Sequence, residues 1–291
     1  MHGQLVKIFF EKYLKKLKIC MTCLLKEVSK LPNRRLVGAS VIAITRDPFH
    51  NNVYVYLGRE RRYPQWQESE TWSDFGGGVR YDPSTNIPET AEATASREAW
   101  EETAGAMNFH LGDRENKQNS TKNFNTSHAY LQGMLEAHRY VLKLTISQPD
   151  GAEYVCFVIE TPWEPDLPMR FAKLTRALRA KRDYNLDSPD IPEKHPAIIS
   201  NRVNPCFIEK TSIALFSVPI LERALLDKNA ISRRHNRVEY LRGTFAVRLR
   251  LVLTHLGSLS FKEVRGPRLN GITWAIGETP DDKDRPRLEG S

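Results

Sequence analysis

The chain has 291 residues, 40% of them hydrophobic and 27% charged, an ordinary composition for a globular protein with room for a substantial core. Its longest apolar runs, Val37–Ile44 and Tyr154–Ile159, fall far short of the roughly 20 residues of a membrane-spanning helix. That excludes a transmembrane helix, and with no secretory pattern at the start the expected setting is intracellular, in the cytoplasm. The 43 Lys and Arg against 35 Asp and Glu give a net charge of +8, a field that attracts phosphates, nucleic acid or an anionic surface without choosing among them.

Residues 1–31 hold seven Lys and two Glu, and their apolar residues recur at near-helical spacing, which predicts a basic amphipathic helix over 1–35. It serves either as a membrane-surface or polyanion-binding arm, or as a helix packed on the body with solvated lysines. Cys20 and Cys23 have the spacing of half a zinc site, but no second ligand pair follows. Cys156 and Cys206 read as free thiols.

From Leu36 the pattern changes to strands. Val37–Thr45 and Val53–Leu57 are β-rich, separated by Asp47, Pro48, Asn51 and Asn52, and apolar on both faces. That predicts a central sheet covered by helices on each side. Gly76, Gly77 and Gly78 follow Trp72-Ser-Asp-Phe75, and Glu89–Thr103 reads as an Ala- and Glu-rich helix. Residues 106–127 are polar and loop-like. Further along come a helix near Tyr130–Tyr140, a strand at Tyr154–Ile159, a helix at Met169–Arg182 within a Pro-rich passage, a strand at Ile213–Val218 and a helix at Val238–Leu256. Beyond Gly266 the composition predicts a flexible tail.

The chemistry concentrates in Glu89–Gly105. On a helical wheel with Glu98 at zero, Glu101 lies at about −60° and Glu102 at about +40°, so three carboxylates share one face. Like charges at i,i+3 and i,i+4 repel. A cation relieves that repulsion, and oxygen ligands suit a hard ion such as Mg²⁺ or Mn²⁺. A solvated acidic helix face is the plainer account of the same triplet.

Glu89, seven residues, then Arg97-Glu98-Ala99-Trp100-Glu101-Glu102 resembles the box of the Nudix hydrolases, and the strands and glycine run before it resemble that family's approach to the box. The resemblance spans residues 36–265, with its specific part at 72–105. It implies an α/β/α sandwich with a mixed sheet, here carrying the N-terminal basic helix and insertions near 106–150 and 162–205. Three departures stand out: 11 residues between Gly77 and Glu89 where the family has five, Thr103-Ala104-Gly105 where a glycine is due one position earlier, and Arg80 where many relatives have an acid.

Carried onto this chain, the resemblance implies Mg²⁺ or Mn²⁺ held by Glu98, Glu101 and Glu102 with a carbonyl of Gly76 or Gly77. Arg97 orients the acids and pairs with Glu89. A distant acid completes the site as ligand or base, with Glu209 the first choice and Glu160 or Glu153 behind it. Arg59, Arg61 and Arg62 are candidates to touch phosphates and Trp72 to stack on a base, while core packing suits Phe75.

The implied activity is metal-dependent cleavage of a nucleoside diphosphate linked to another group. One alternative is mRNA decapping, with RNA tracked by Arg170, Lys173, Arg176, Arg179, Lys181 and Arg182. An alternative of another class is a catalytically silent binding module.

Overall fold

In a computed structural model, residues 35–109, 124–148, 150–192, 195–234, 237–255 and 272–275 are described. The predicted N-terminal helix and the Cys20/Cys23 pair lie outside them. The first predicted strand is β1 (Arg35–Arg46), followed by β2 (Val53–Glu60), β3 (Trp72–Ser73) and β4 (Phe75–Gly78). Helix α1 (Ala91–Glu102) is the acid-bearing segment, and α2 (Phe124–Glu136) precedes β5 (Leu142–Ser147) and β6 (Ala152–Glu160). Helix α3 (Leu167–Tyr184), the short hairpin β7 (Ile198–Ile199) and β8 (Arg202–Val203), and β9 (Lys210–Ser217) come next. The chain continues through α4 (Val218–Leu226), the hairpin β10 (Ala230–Arg234) and β11 (Arg237–Tyr240), α5 (Gly243–His255) and β12 (Ile272–Ala275).

The main sheet runs β12-β5-β6-β1-β2-β3, with β4 also on β1 and β9 also on β2. It is mixed: β1 and β6 are parallel, with Ala39 opposite Val155 and Ile42 opposite Val158, while β1 and β2 are antiparallel. Strand alternation sends Ala39, Val41 and Ala43 to one face and Ile42 and Ile44 to the other. The first face packs on α1, α2 and α3 through Ala95, Ala99, Leu131, Leu135, Phe171 and Leu178. The second packs on α4 and α5 through Leu221, Leu225, Phe245, Leu249 and Leu253. This is the expected α/β/α sandwich, and the strands lack polar alternation because both faces are covered.

One edge of β1 is divided between two partners, β4 along Gly38–Val41 and β2 along Ala43–Arg46. The chain therefore splays at this point, and the glycine strand enters the gap facing α1. Helix α1 is capped by Thr90, whose hydroxyl accepts from the Ala93 N–H at 3.1 Å. It stops at a left-handed pair, Ala104 (φ 51°) and Gly105 (φ 66°), with the Gly105 N–H donating to the Trp100 carbonyl at 2.9 Å.

Two elements differ from expectation. Residues 237–240 are strand β11 paired with β10, and the last described helix begins only at Gly243, because the Arg242 N–H is taken by the Trp72 carbonyl at 2.8 Å. The chain past Gly266 is not all flexible tail: Ile272–Ala275 forms β12 along the open edge of β5. Among the described residues, no helix is long and apolar enough to cross a membrane.

Candidate active site

The glycine strand is shaped by close approach. A Cβ on Gly76 would collide with Ser40 of β1, and one on Gly77 would stand 2.6 Å from the Glu98 carboxyl carbon. The missing side chains let α1 lie against the strand. The Gly76 N–H donates to Glu102 Oε2 at 2.7 Å and the Gly78 carbonyl accepts from Arg97 Nη2 at 2.9 Å. Gly76 and Gly78 thus turn their polar groups away from β1, whereas the Gly77 carbonyl points back at Gly38. Gly76 meets Glu102 through its N–H, and Gly77 leaves the space that Glu98 fills. Replacing Gly77 with Ala is expected to cut turnover about tenfold or more by displacing Glu98, with little change in urea midpoint; wild-type kinetics in that variant would show that the contact is immaterial.

Arg97 is the hub of the acidic face. Its guanidinium donates to Glu89 at 2.8 and 2.9 Å, to Glu98 at 2.6 Å and to Glu101 at 3.2 Å. Burial pushes the Glu89 carboxyl up, but Arg97, the Arg80 N–H and the Thr94 hydroxyl outweigh it and hold it below the ordinary range. The long segment before Glu89 does not disturb this geometry. Asp82 accepts from the Ser84 and Thr85 N–H groups, Tyr81 bridges Pro88, and the Glu89 N–H returns to the Arg80 carbonyl at 2.9 Å. The insertion closes on itself as a hairpin-like loop.

Arg80 then meets Glu101 as a two-point clamp, with both contacts at 2.8 Å. Glu102 is engaged from the other side by Lys210 at 3.1 Å. The Lys210 ammonium, 1% exposed, also donates to Glu60 at 2.6 Å and to the Ser73 hydroxyl at 2.8 Å. Its stem crosses Gly58, where a Cβ would lie 2.9 Å from Lys210 Cδ. Burial opposes the charge on Lys210, but Glu102 and Glu60 hold its pKa above the usual lysine value. Glu102 is pushed well up by burial and by Glu60 and Glu98. Burial likewise raises Glu98, with Glu101 adding to it against Arg97.

Glu209 ends the one-turn 3₁₀ segment Pro205–Ile208, immediately before β9. Its carboxyl is pushed up first by burial, then by Glu98, with Glu101 and Glu60 adding to the effect. It therefore shares the field of the α1 acids. Glu160 instead pairs with Arg46 at 3.3 Å, and Glu153 accepts from the Ser147 hydroxyl at 3.3 Å.

No family model matches this chain, and no curated protein matches it. Among solved structures, it is similar to a mutT/nudix family protein from Listeria innocua, at 14% identity and a TM-score of 0.34 over 79% of this chain and 99% of that one. The NUDIX domain of Shewanella oneidensis NrtR complexed with ADP ribose is similar at 8% identity and a TM-score of 0.33, over 78% and 92% of the two chains. A C. elegans Ap4A hydrolase binary complex is similar at 10% identity and a TM-score of 0.28, over 75% and 97%. At such low TM-scores these neighbours add nothing to what the fold itself displays.

The donor chemistry fits a hard divalent ion. Glu60, Glu89, Glu98, Glu101, Glu102 and Glu209 outnumber Arg80, Arg97, Lys210 and Arg242, and burial first, with neighbouring carboxylates adding to it, raises Glu98, Glu102 and Glu209. In this conformation, however, no three His, Cys, Asp or Glu among the described residues converge as a ligand group. Arg80 takes Glu101, and Lys210 with the Gly76 N–H takes Glu102. The expectation that Glu98, Glu101 and Glu102 present themselves together is corrected to that extent.

The other expected contact residues separate. Trp72 is buried, edge-on to Phe216 at 5.0 Å, with its N–H on Glu239; it fills the core and cannot stack on a base. Phe75 is a core residue, as expected. Arg59 donates to the Glu70 carbonyl at 3.2 Å and approaches Glu239 at 3.6 Å. Arg62 is exposed and 4.0 Å from Glu70, while Arg61 lies over the Tyr63 ring. Sequence reasoning missed Lys210, Glu60 and Ser73. Their proximity arises from strand pairing, Glu60 opposite Lys210 and Gly58 opposite Ser73, and no local motif marks it.

On its α5 side the glycine strand borders a cleft of about 520 Å³ lined by Val37, Gln148, Tyr154, Arg242 and Val247 among others. Arg248 stacks on Tyr154 at 4.8 Å and holds Asp74 through contacts of 2.7 and 3.0 Å. This buried pair ties α5 to the residue that leads into the glycine strand.

Proposed function

We propose that this protein is a metal-dependent hydrolase of a phosphoric anhydride, with substrates in which a nucleoside diphosphate is linked to another group. The observation that carries the reading is the buried acid cluster built against the side-chain-free edge of Gly76 and Gly77. Glu98, Glu101 and Glu102, with a carbonyl of Gly76 or Gly77, are the residues that would hold Mg²⁺ or Mn²⁺, which requires Arg80 and Lys210 to release Glu101 and Glu102. Such an ion, when bound, neutralises pyrophosphate charge and lowers the pKa of a coordinated water.

The chain's own groups supply the rest. Arg97 fixes Glu89 and Glu98 so that the acids hold their positions without reorganising. Glu209, as the carboxylate made more basic by burial and by Glu98, accepts the proton of the attacking water as the P–O anhydride bond breaks and the leaving phosphate departs. Arg80, with a side chain 47% exposed, is placed to exchange Glu101 for a phosphate oxygen, since a guanidinium fork matches either partner. The cleft toward α5 offers room for the organic half of the substrate.

Capped RNA ranks behind a compact nucleotide. Arg170 is spent on Glu164, Asp166 and the Ala106 carbonyl, and Lys181 on Asp187, so the basic residues of α3 do not form a continuous track. A silent binding module has one observation in its favour, the occupation of Glu101 and Glu102 by Arg80 and Lys210. A product-identified screen separates these readings. It would cover dinucleoside polyphosphates, nucleotide sugars, nucleoside triphosphates, inositol pyrophosphates and capped RNA, each with Mg²⁺ or Mn²⁺. Metal-dependent release of phosphate or nucleoside monophosphate is the expected result, and no turnover on any of them leaves the silent module.

A further inference from the structure

Glu101 is the acid of the cluster that two arginines grip at once. Arg80 holds both of its oxygens, Nη1 on Oε1 and Nη2 on Oε2 at 2.8 Å each, and Oε2 also accepts from Arg97 at 3.2 Å. A carboxylate offers about four lone-pair positions. Three hydrogen bonds from guanidinium groups leave little of Glu101 for a divalent ion, which would also meet the positive charge of both arginines.

The cations around the acids differ in their freedom to leave. Arg97, with a side chain 9% exposed, also holds Glu89, Glu98 and the Gly78 carbonyl, so withdrawing it would strand several acids. Lys210 is as confined: off Glu102 it still has Glu60 at 2.6 Å and Ser73 at 2.8 Å, and its charge stays inside the cluster. Arg80 is half-exposed, and its main chain is fixed independently of its side chain. The Arg80 N–H donates to Glu89 Oε2 at 3.1 Å, and the Arg80 carbonyl accepts from the Glu89 N–H at 2.9 Å. Rotation about the side-chain bonds alone therefore carries the guanidinium from Glu101 to water, with the loop before Glu89 still closed by the Tyr81–Pro88 bridge. Its other contact, 3.5 Å to Cys206 Sγ, is with a weak acceptor.

We propose that Arg80 is a resident competitor of the metal. Its guanidinium closes Glu101 in the resting protein, and a divalent ion gains that carboxylate only as Arg80 swings out, so an arginine of the preceding loop sets the ion concentration at which the site fills. This regulatory contact rests on the hydrolase reading above and deepens it. A site whose competent form is populated about one time in ten binds about tenfold more weakly than the same site held open.

The test uses the full chain and Mn²⁺ alone, with free Mn²⁺ followed by its electron paramagnetic resonance signal. Arg80→Gln is expected to bind Mn²⁺ about tenfold more tightly than wild type, since hydrogen bonds to a charged group are worth roughly that factor or more. Its urea midpoint in EDTA should stay close to wild type. A misfolded variant would bind less, so a gain cannot come from damage to the fold. Glu101→Gln placed in the Arg80→Gln background should remove the gain, because the freed carboxylate is its source. Arg223→Gln deletes the same charge from an exposed position on α4, across the sheet from α1, and should bind as wild type does.

Mn²⁺ affinity in Arg80→Gln less than about threefold above wild type, or below it, overturns the competitor. A gain that survives Glu101→Gln, or that Arg223→Gln reproduces, overturns it in favour of a general relief of positive charge. Failure of the hydrolase reading looks different: neither wild type nor Arg80→Gln cleaves any anhydride at any Mn²⁺ concentration, while the gain in binding is present and depends on Glu101. Failure of the competitor alone leaves wild-type turnover in place, with Arg80→Gln filling at the same Mn²⁺ concentration.

Discussion

Glu98→Gln is expected to lower anhydride turnover by at least about 100-fold, since losing even a group that only supports a metal ligand costs about 10- to 100-fold. The amide preserves volume and the packing against Gly77, where the carboxyl now fills the space of an absent Cβ. It removes the charge that Arg97 holds at 2.6 Å. The change should appear in kcat, with the urea midpoint close to wild type. Glu102→Gln should match it in rate, and Glu209→Gln should slow the reaction with a weaker effect on metal affinity. Wild-type-like turnover in Glu98→Gln and Glu102→Gln at saturating Mg²⁺ would end the assignment of these acids to catalysis. An unaffected Glu209→Gln would move the search for the distant acid to Glu160 or Glu153.

The largest stability effect is expected at Arg248. Asp74 is 4% exposed and the Arg248 side chain 8% exposed, joined by contacts of 2.7, 3.0 and 3.2 Å in the layer between the sheet and α5. Arg248→Met keeps the length of the stem but leaves the Asp74 carboxylate without its cation, a loss of about 3 to 5 kcal/mol for a broken buried pair. Asp74→Asn in the Arg248→Met background should return much of it, because the stranded charge rather than the lost attraction dominates the cost. Equilibrium urea unfolding measures both. If Arg248→Met falls by less than about 1 kcal/mol, the pair behaves like an exposed one and does not brace the entry to the glycine strand.

The acidic face itself was readable from sequence because it is local. Glu98, Glu101 and Glu102 sit within one helical segment, and Arg97 and Glu89 are tied to it at short range. The two-sided sheet was readable too, since β1 and β2 are apolar on both faces and both are covered. The start of the last described helix, expected at Val238 and found at Gly243, was not, because residues 237–240 are claimed by β10 and the Arg242 N–H by Trp72. Strand β12 was hidden for the same reason: four residues in a polar stretch gain their ladder only from the free edge of β5.

By itself, then, the sequence determined the helix with its carboxylate triplet, the glycine run that lets a backbone approach it, and the positive charge of the whole. Periodicity, the lack of a Cβ and net charge are properties of neighbouring residues or of composition. Tertiary structure alone decided which cation meets which acid. Lys210 reaches Glu102 and Glu60 through the register of β9 on β2, Arg80 reaches Glu101 because the loop before Glu89 closes on itself, and Arg179 of α3 reaches the Lys210 carbonyl. Electrostatic pairing depends on distance in space and on burial, which a linear chain specifies only after its strands have paired and its helices have covered them.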